Sequence, residues 1–237
     1  MESNKLENNG PECKKKSIRS YVVRSGRMTD GQKLAFDQYW PDYGLSLHNG
    51  LFNASSEFGR RAPQVIEIGF GMGGSLLQMI QNEKDKDFLG IEVHSPGVGR
   101  LINDAAKLEL KNLKVYMADA VDVLEDCISD NSVHRMQIYF PDPWHKKKHN
   151  KRRLIQPIFV EMIRLKLEVG GVMHLATDWE PYAKNMLQVM EGATGYKNMG
   201  SPGEYSLRPN FRPVTKFEAR GERLGHGVWD LLYVRTS

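Results

Sequence analysis

The stretch Val65-Ile66-Glu67-Ile68-Gly69-Phe70-Gly71-Met72-Gly73-Gly74-Ser75 holds the residues best suited to bind and orient a small ligand. Its branched apolar residues around one carboxylate read as a short buried strand, which the glycines end abruptly. Glycines at 69, 71 and 74 let the backbone turn sharply and approach a ligand, because no Cβ stands in the way. From Ser75 onward, Leu76, Leu77 and Ile80 predict a helix. Strand, loop and helix together make a nucleotide-sized pocket at the end of a parallel sheet. The same glycines satisfy G-x-G-x-x-G, so a nicotinamide-dependent oxidoreductase stays open as an alternative. Glu67 favours another ligand. A carboxylate two residues before the glycines suits an ammonium group, such as the methionine part of S-adenosylmethionine, and does nothing for a pyrophosphate.

Four further acids, Glu92, Asp119, Asp142 and Asp178, each follow an apolar strand-like stretch. Open α/β sheets bind ligands at strand C-termini, so these positions matter. Any one alone could be a helix cap; four in sequence argue for a site. Glu92 lies where a ribose-binding acid is expected, roughly 20 residues past the glycines, and can accept from both ribose hydroxyls. Asp119 can accept from an adenine amine or cap the helix after it. Asp178 and Glu218 are candidates for guanine, whose N1–H and N2 amine form a donor pair that a carboxylate accepts together. The plainer alternatives are a helix cap for Asp178 and a surface salt bridge for Glu218.

Between Trp144 and Arg153 stand six cations, Lys146, Lys147, Lys148, Lys151, Arg152 and Arg153, with His145 and His149 and no acid. Such a run fits phosphates, and Trp144 at its edge could stack on a base or simply pack. The run reads as opening a helix that continues to about 167. Cations are unfavourable at a helix N-terminus, which argues against a purely structural role. A non-catalytic RNA-binding protein would use this run, yet it would leave Glu67, Glu92 and Asp142 unexplained.

The elements that must position these residues alternate between strand and helix, which predicts a parallel sheet with helices on both faces. Strands are expected at 88–93, 113–117, 136–140, 172–176 and 228–234, after the first at 65–68. Helices are expected at 97–110, 121–128 and 180–190, the last capped by Thr177 and Asp178. Residues 1–20 read as a disordered basic arm, and residues 21–61 as a cover over a main domain that runs from 21 to 237.

With 40% hydrophobic and 26% charged residues, the 237-residue chain can form a real core. No apolar run approaches the ~18 residues of a membrane span, and the start has no secretory pattern. Only Cys13 and Cys127 are present, in no metal-like spacing. A cytoplasmic, reduced protein without metal or membrane is expected, as a monomer rather than a homodimer. The net charge of +4 is mild, and the basic run alone exceeds it.

Five segments resemble the bacterial tRNA (guanine-N7-)-methyltransferases. They are the glycine loop from Glu67, the segment from Gly90 to Gly97, Phe140-Pro141-Asp142-Pro143-Trp144 with the basic run, the segment from Ala176 to Tyr182, and Thr215-Lys216-Phe217-Glu218. The resemblance runs from about residue 20 to the end. It implies a Rossmann-like S-adenosylmethionine-dependent methyltransferase fold, mostly parallel with an antiparallel C-terminal strand. It also implies methylation of the variable-loop guanosine at tRNA position 46. Cofactor contacts would come from Glu67, Gly69, Gly71, Gly73, Glu92, Asp119 and Asp142, with Asp142 also the catalytic residue. Lys146, Asp178, Thr215, Lys216, Phe217 and Glu218 would contact the substrate. Lys148, His149, Asn150, Lys151, Arg152 and Arg153 would contact the RNA.

Overall fold

Eight strands form one sheet in the computed structural model, which describes residues 27–215, 218–219 and 227–237. The expected arm at 1–20 and the candidate residues Lys216 and Phe217 lie outside the described residues. In chain order the strands are β1 (Gly44–Leu45), β2 (Gln64–Ile68), β3 (Asp87–Ile91), β4 (Leu113–Tyr116), β5 (Val133–Tyr139), β6 (Leu167–Thr177), β7 (Tyr196–Asn198) and β8 (Trp229–Arg235). Across the sheet they lie in the order β1-β4-β3-β2-β5-β6-β8-β7. All neighbours from β1 to β6 pair in parallel, and β8 runs antiparallel to both β6 and β7. Strand order reverses at β2, so the crevice beyond β2 and β5 is the topological switch point of an open α/β sheet.

Helices cover both faces because the inner strands carry apolar side chains on both sides. Val65, Phe88 and Val115 pack beneath α1 (Asp30–Tyr43), α3 (Gly74–Asn82) and α4 (Ser95–Lys107). Ile66, Leu89 and Ile138 face the opposite core, which holds residues of α5 (Ala120–Asp126), α6 (Pro157–Lys166) and α7 (Glu180–Glu191). A five-residue helix, α2 (Ala54–Phe58), precedes β2.

The predicted cover over the main domain includes α1, whose start is fixed by a reciprocal cap between Thr29 and Gln32. Gln32 also donates to the Pro96 carbonyl at 3.0 Å, and Gly99 of α4 lets the two helices approach closely.

Three sequence expectations are corrected. The basic run does not open α6. It forms a separate 3₁₀ turn, Lys147–Arg152, and α6 starts at Pro157. Proline forces the residue before it out of helical geometry, and Gln156 is extended at φ −130°, ψ 156°. The strand expected at 172–176 begins at Leu167 and passes through Gly170 and Gly171. Gly170, at φ +88°, takes up an irregularity opposite Val133 and Arg135. Finally, α7 has Trp179 at its N-cap with no side-chain cap bond, and Thr177 Oγ1 accepts from the Trp179 amide.

Candidate active site

Beyond the C-terminal ends of β2 to β5 lies a cavity of about 480 Å³. Its walls include Gly69, Gly71, Ile91, Glu92, Asp119, Ile138, Phe140 and Asp142. The glycine loop shapes one side. Gly69, Gly71 and Gly73 all have positive φ (77°, 57° and 74°), so each needs the freedom glycine has. A Cβ on Gly69 or Gly71 would meet no atom within 4 Å, so both backbones border open space. Gly97 is required for packing: a Cβ there would stand 1.9 Å from the Gly71 carbonyl oxygen.

Glu92 braces this loop. One oxygen accepts from the Gly71 amide at 2.8 Å, and the other from the Val93 and His94 amides at 2.7 and 3.0 Å. Oε1 has given both of its lone pairs, and Oε2 keeps room for another donor. Asp119 also has two uses: its Oδ1 caps α5 through the Val121 amide at 3.0 Å, while the residue lines the cavity.

On the other side, β5 ends at Tyr139 and the chain turns through Phe140-Pro141-Asp142-Pro143-Trp144. Phe140 and Trp144 both sit at positive φ, 51° and 47°, at the two ends of this loop. A bulky side chain there is strained, and neighbouring structure must hold it. Two prolines restrict the segment further. Asp142 is exposed and lines the cavity, and its carboxylate has no hydrogen bond among the described residues. Lys146, Lys147, Lys148 and Lys151 follow at once, all exposed.

A family model described as "Putative methyltransferase" matches residues 61–231. A tRNA (guanine-N(7)-)-methyltransferase of Saccharophagus degradans is 61% identical over 226 residues, which cover 95% of this chain and 99% of that protein. Another, from Marinobacter nauticus, is 52% identical and covers 100% of this chain and 99% of its own. The chain belongs to the tRNA (guanine-N(7)-)-methyltransferase family. The 16S rRNA methyltransferase KamB, at 15% identity and a TM-score of 0.54, covers 90% of this chain and 96% of its own, and shares the fold.

Within this methyltransferase, the structure gathers Gly69, Gly71, Glu92, Asp119 and Asp142 around one cavity. Glu67 lies beneath it, inside β2, and does not line it. Burial pushes its carboxyl up to about 7, and Gln137 donates to Oε2 at 2.6 Å. Asp178 sits just past the end of β6 and makes no side-chain hydrogen bond among the described residues. Thr215 and Glu218 are bonded to each other, and both Glu218 oxygens accept from Arg212.

The basic turn is not uniform. Arg152 lies 5.0 Å from the Trp144 ring centroid, and His149 meets the same ring edge-on. Partial burial, and then the surrounding cations, hold the His149 pKa below its usual value. Asn150 accepts through its backbone carbonyl from Gln156, at 3.3 Å. Arg153, grouped by sequence with the RNA-contacting cations, is buried. It donates to the Pro143 carbonyl at 2.9 Å and to Asn185 at 3.1 Å, and stacks on Tyr182. Its place is behind the Asp142 loop. Sequence reasoning missed this use of Arg153, along with Arg212, Gln137 and His174. The legible signal was a polar residue inside an apolar strand, which Gln137 and His174 both are.

Proposed function

We propose that this protein transfers the methyl group of S-adenosylmethionine to N7 of the guanosine at position 46, in the tRNA variable loop. One juxtaposition carries the reading: the exposed Asp142 lines the cavity, and four exposed lysines follow it on the next short stretch of chain. Methyl transfer to an RNA base needs a cofactor pocket, an aligned base and phosphate contacts side by side.

The cavity suits the cofactor. Its volume lies in the ordinary range for ligand sites. The open space beside Gly69 and Gly71 admits a ligand close to the backbone, and Glu92, through Oε2, and Asp119 are acceptors for a hydroxyl and an amine. Ile68, Ile91, Ile138 and Phe140 supply apolar wall. When bound, S-adenosylmethionine supplies an electrophilic methyl group on a sulfonium. Glu67, with Oε1 left without a hydrogen bond among the described residues, is assigned to the cationic end from beneath the loop.

Guanine N7 keeps an in-plane lone pair and carries no proton at neutral pH. No base is therefore needed, and alignment governs the step. Asp142 is assigned the electrostatic role. A fixed carboxylate beside the base favours the positive charge that the ring gains on methylation. Asp178, with no side-chain hydrogen bond among the described residues, is assigned to the N1–H and N2 donor pair. Lys146 and Thr215 flank the substrate, and Lys148, His149, Asn150, Lys151 and Arg152 meet the RNA backbone, where cations displace counterions.

The test is incubation with methyl-labelled S-adenosylmethionine and bulk unmodified tRNA, followed by mapping of the labelled base. Label as 7-methylguanosine in the variable loop is the expected result. Label on another base or position would overturn the assignment.

A further inference from the structure

One face of the sheet carries a row of buried polar side chains where apolar ones would be ordinary. Arg135, Gln137 and Tyr139 alternate along β5, with His174 on β6 and Asp230 on β8 beside them. Tyr139 Oη and His174 Nδ1 are 2.8 Å apart, and His174 Nε2 lies 2.6 Å from Asp230 Oδ1. A neutral imidazole with its proton on Nε2 satisfies both contacts, the tyrosine hydroxyl donating to Nδ1. The row ends on Arg212, which is fully buried. Arg212 donates twice to Asp230, both at 2.8 Å, and twice to Glu218, both at 2.7 Å. Its guanidinium also lies 5.7 Å from the Tyr139 ring centroid and 5.8 Å from that of Phe140.

This arrangement bears on what Glu218 can do. Its Oε2 accepts from Arg212 and from the Thr215 amide, and its Oε1 from Arg212. The Glu218 amide donates back to Thr215 Oγ1 at 3.0 Å. Reading a guanine edge takes two oxygens turned together toward the base. Glu218 is 2% exposed and has already turned both toward Arg212. Removing one partner of such a buried pair leaves a bare charge, so the clamp resists opening.

We infer that Arg212 is a positioning residue. It fastens Thr215 and Glu218 to Asp230 and to the aromatic pair Tyr139 and Phe140, from which the Asp142 loop departs. Glu218 is the anchor, and Asp178 in its place presents a carboxylate to the guanine donor pair. This rests on the reading of the site as one for tRNA guanine.

Two measurements test it. In the free protein, amide hydrogen exchange is compared between wild type, Arg212→Lys and Glu218→Gln. Lysine keeps the charge and loses the fork. Unchanged affinity for S-adenosylhomocysteine certifies a folded variant. Faster exchange at Thr215, Glu218 and Phe140 together is expected. Faster exchange at Thr215 and Glu218 with Phe140 unaffected would overturn the coupling to the Asp142 loop, whatever the substrate is.

The second measurement compares kcat/KM on tRNA carrying guanosine or inosine at the target. Inosine keeps N7 and N1–H and lacks the N2 amine. Glu218→Gln is expected to lower kcat/KM at least about tenfold, by the same factor on both RNAs. Asp178→Asn should instead abolish the preference for guanosine. If Glu218→Gln abolishes that preference, Glu218 reads the base and the anchoring role is wrong. A wild-type enzyme inactive on both RNAs would strike the substrate reading, and the exchange data would still decide the clamp.

Discussion

A carboxylate can serve a ligand only with the lone pairs it has not already given to its own protein. Glu92 gives three to backbone amides, Glu218 three to Arg212 and Thr215, and Asp142 none among the described residues. The charge of Asp142 is therefore available to the reaction. Asp142→Asn keeps the shape and removes the charge. Turnover at saturating substrates should fall on the order of a hundredfold, by analogy with loss of one electrostatic stabiliser. Calorimetric titration with S-adenosylhomocysteine should meanwhile stay within a few-fold of wild type. Turnover within about threefold would leave positioning as the only role for Asp142.

Glu67 offers the opposite case, a carboxylate paid for in stability. Burial raises its pKa from 4.5 to about 7. Between those values the native protein holds a proton that the unfolded chain has released, so stability falls as pH rises through this window. Glu67→Gln keeps an acceptor for Gln137 and removes the titration. Urea unfolding at pH 5 and pH 8 should show the variant gaining roughly 2–3 kcal/mol on wild type at the higher pH. An equal difference at both pH values would mean that Glu67 is ionised throughout.

At the scale of elements, the 3₁₀ turn and the loop before it divide the cations by task. Replacing Lys147, Lys148 and Lys151 with Ala should flatten the slope of log affinity for tRNA against log salt. The loss should be roughly 0.7–0.9 per phosphate contact. Arg153→Ala should leave that slope alone and lower turnover, because its guanidinium holds the Pro143 carbonyl and packs on Tyr182. A salt slope reduced by Arg153→Ala would place that side chain on the RNA after all. The basic run was legible as a charged segment, but its shape was not. Pro157 was the local signal that ends it, and the cations drew attention from that proline. The glycine loop and the six longer strands were legible because short-range pattern sets them: apolar runs and, after β2, glycines that permit positive φ. Arg153 and Arg212 were not legible as buried residues. Arg153 also reaches Asn185 on α7 and Arg212 reaches Asp230 on β8, and only the assembled sheet brings those partners near.

Across the whole molecule, β5 separates two halves of the site. The glycine loop, Glu92 and Asp119 come from β2, β3 and β4 on one side, and Asp178, Thr215 and Glu218 come from beyond β6 on the other. The Asp142 loop leaves β5 between them, and under the proposed function the methyl donor and the base would meet at that strand. The fold class was readable from the alternation of strand and helix patterns, and Glu92, Asp119 and Asp142 from their places at strand ends. The order of strands across the sheet and the fastening of Thr215 and Glu218 through a buried arginine were not. Transfer to N7 itself can be tested on a tRNA transcript whose target guanosine is replaced by 7-deazaguanosine, which has a C–H in place of N7. Binding to the transcript should be retained and methyl incorporation should vanish, while the guanosine transcript is labelled normally. Label still entering the 7-deazaguanosine nucleotide would contradict N7 as the acceptor.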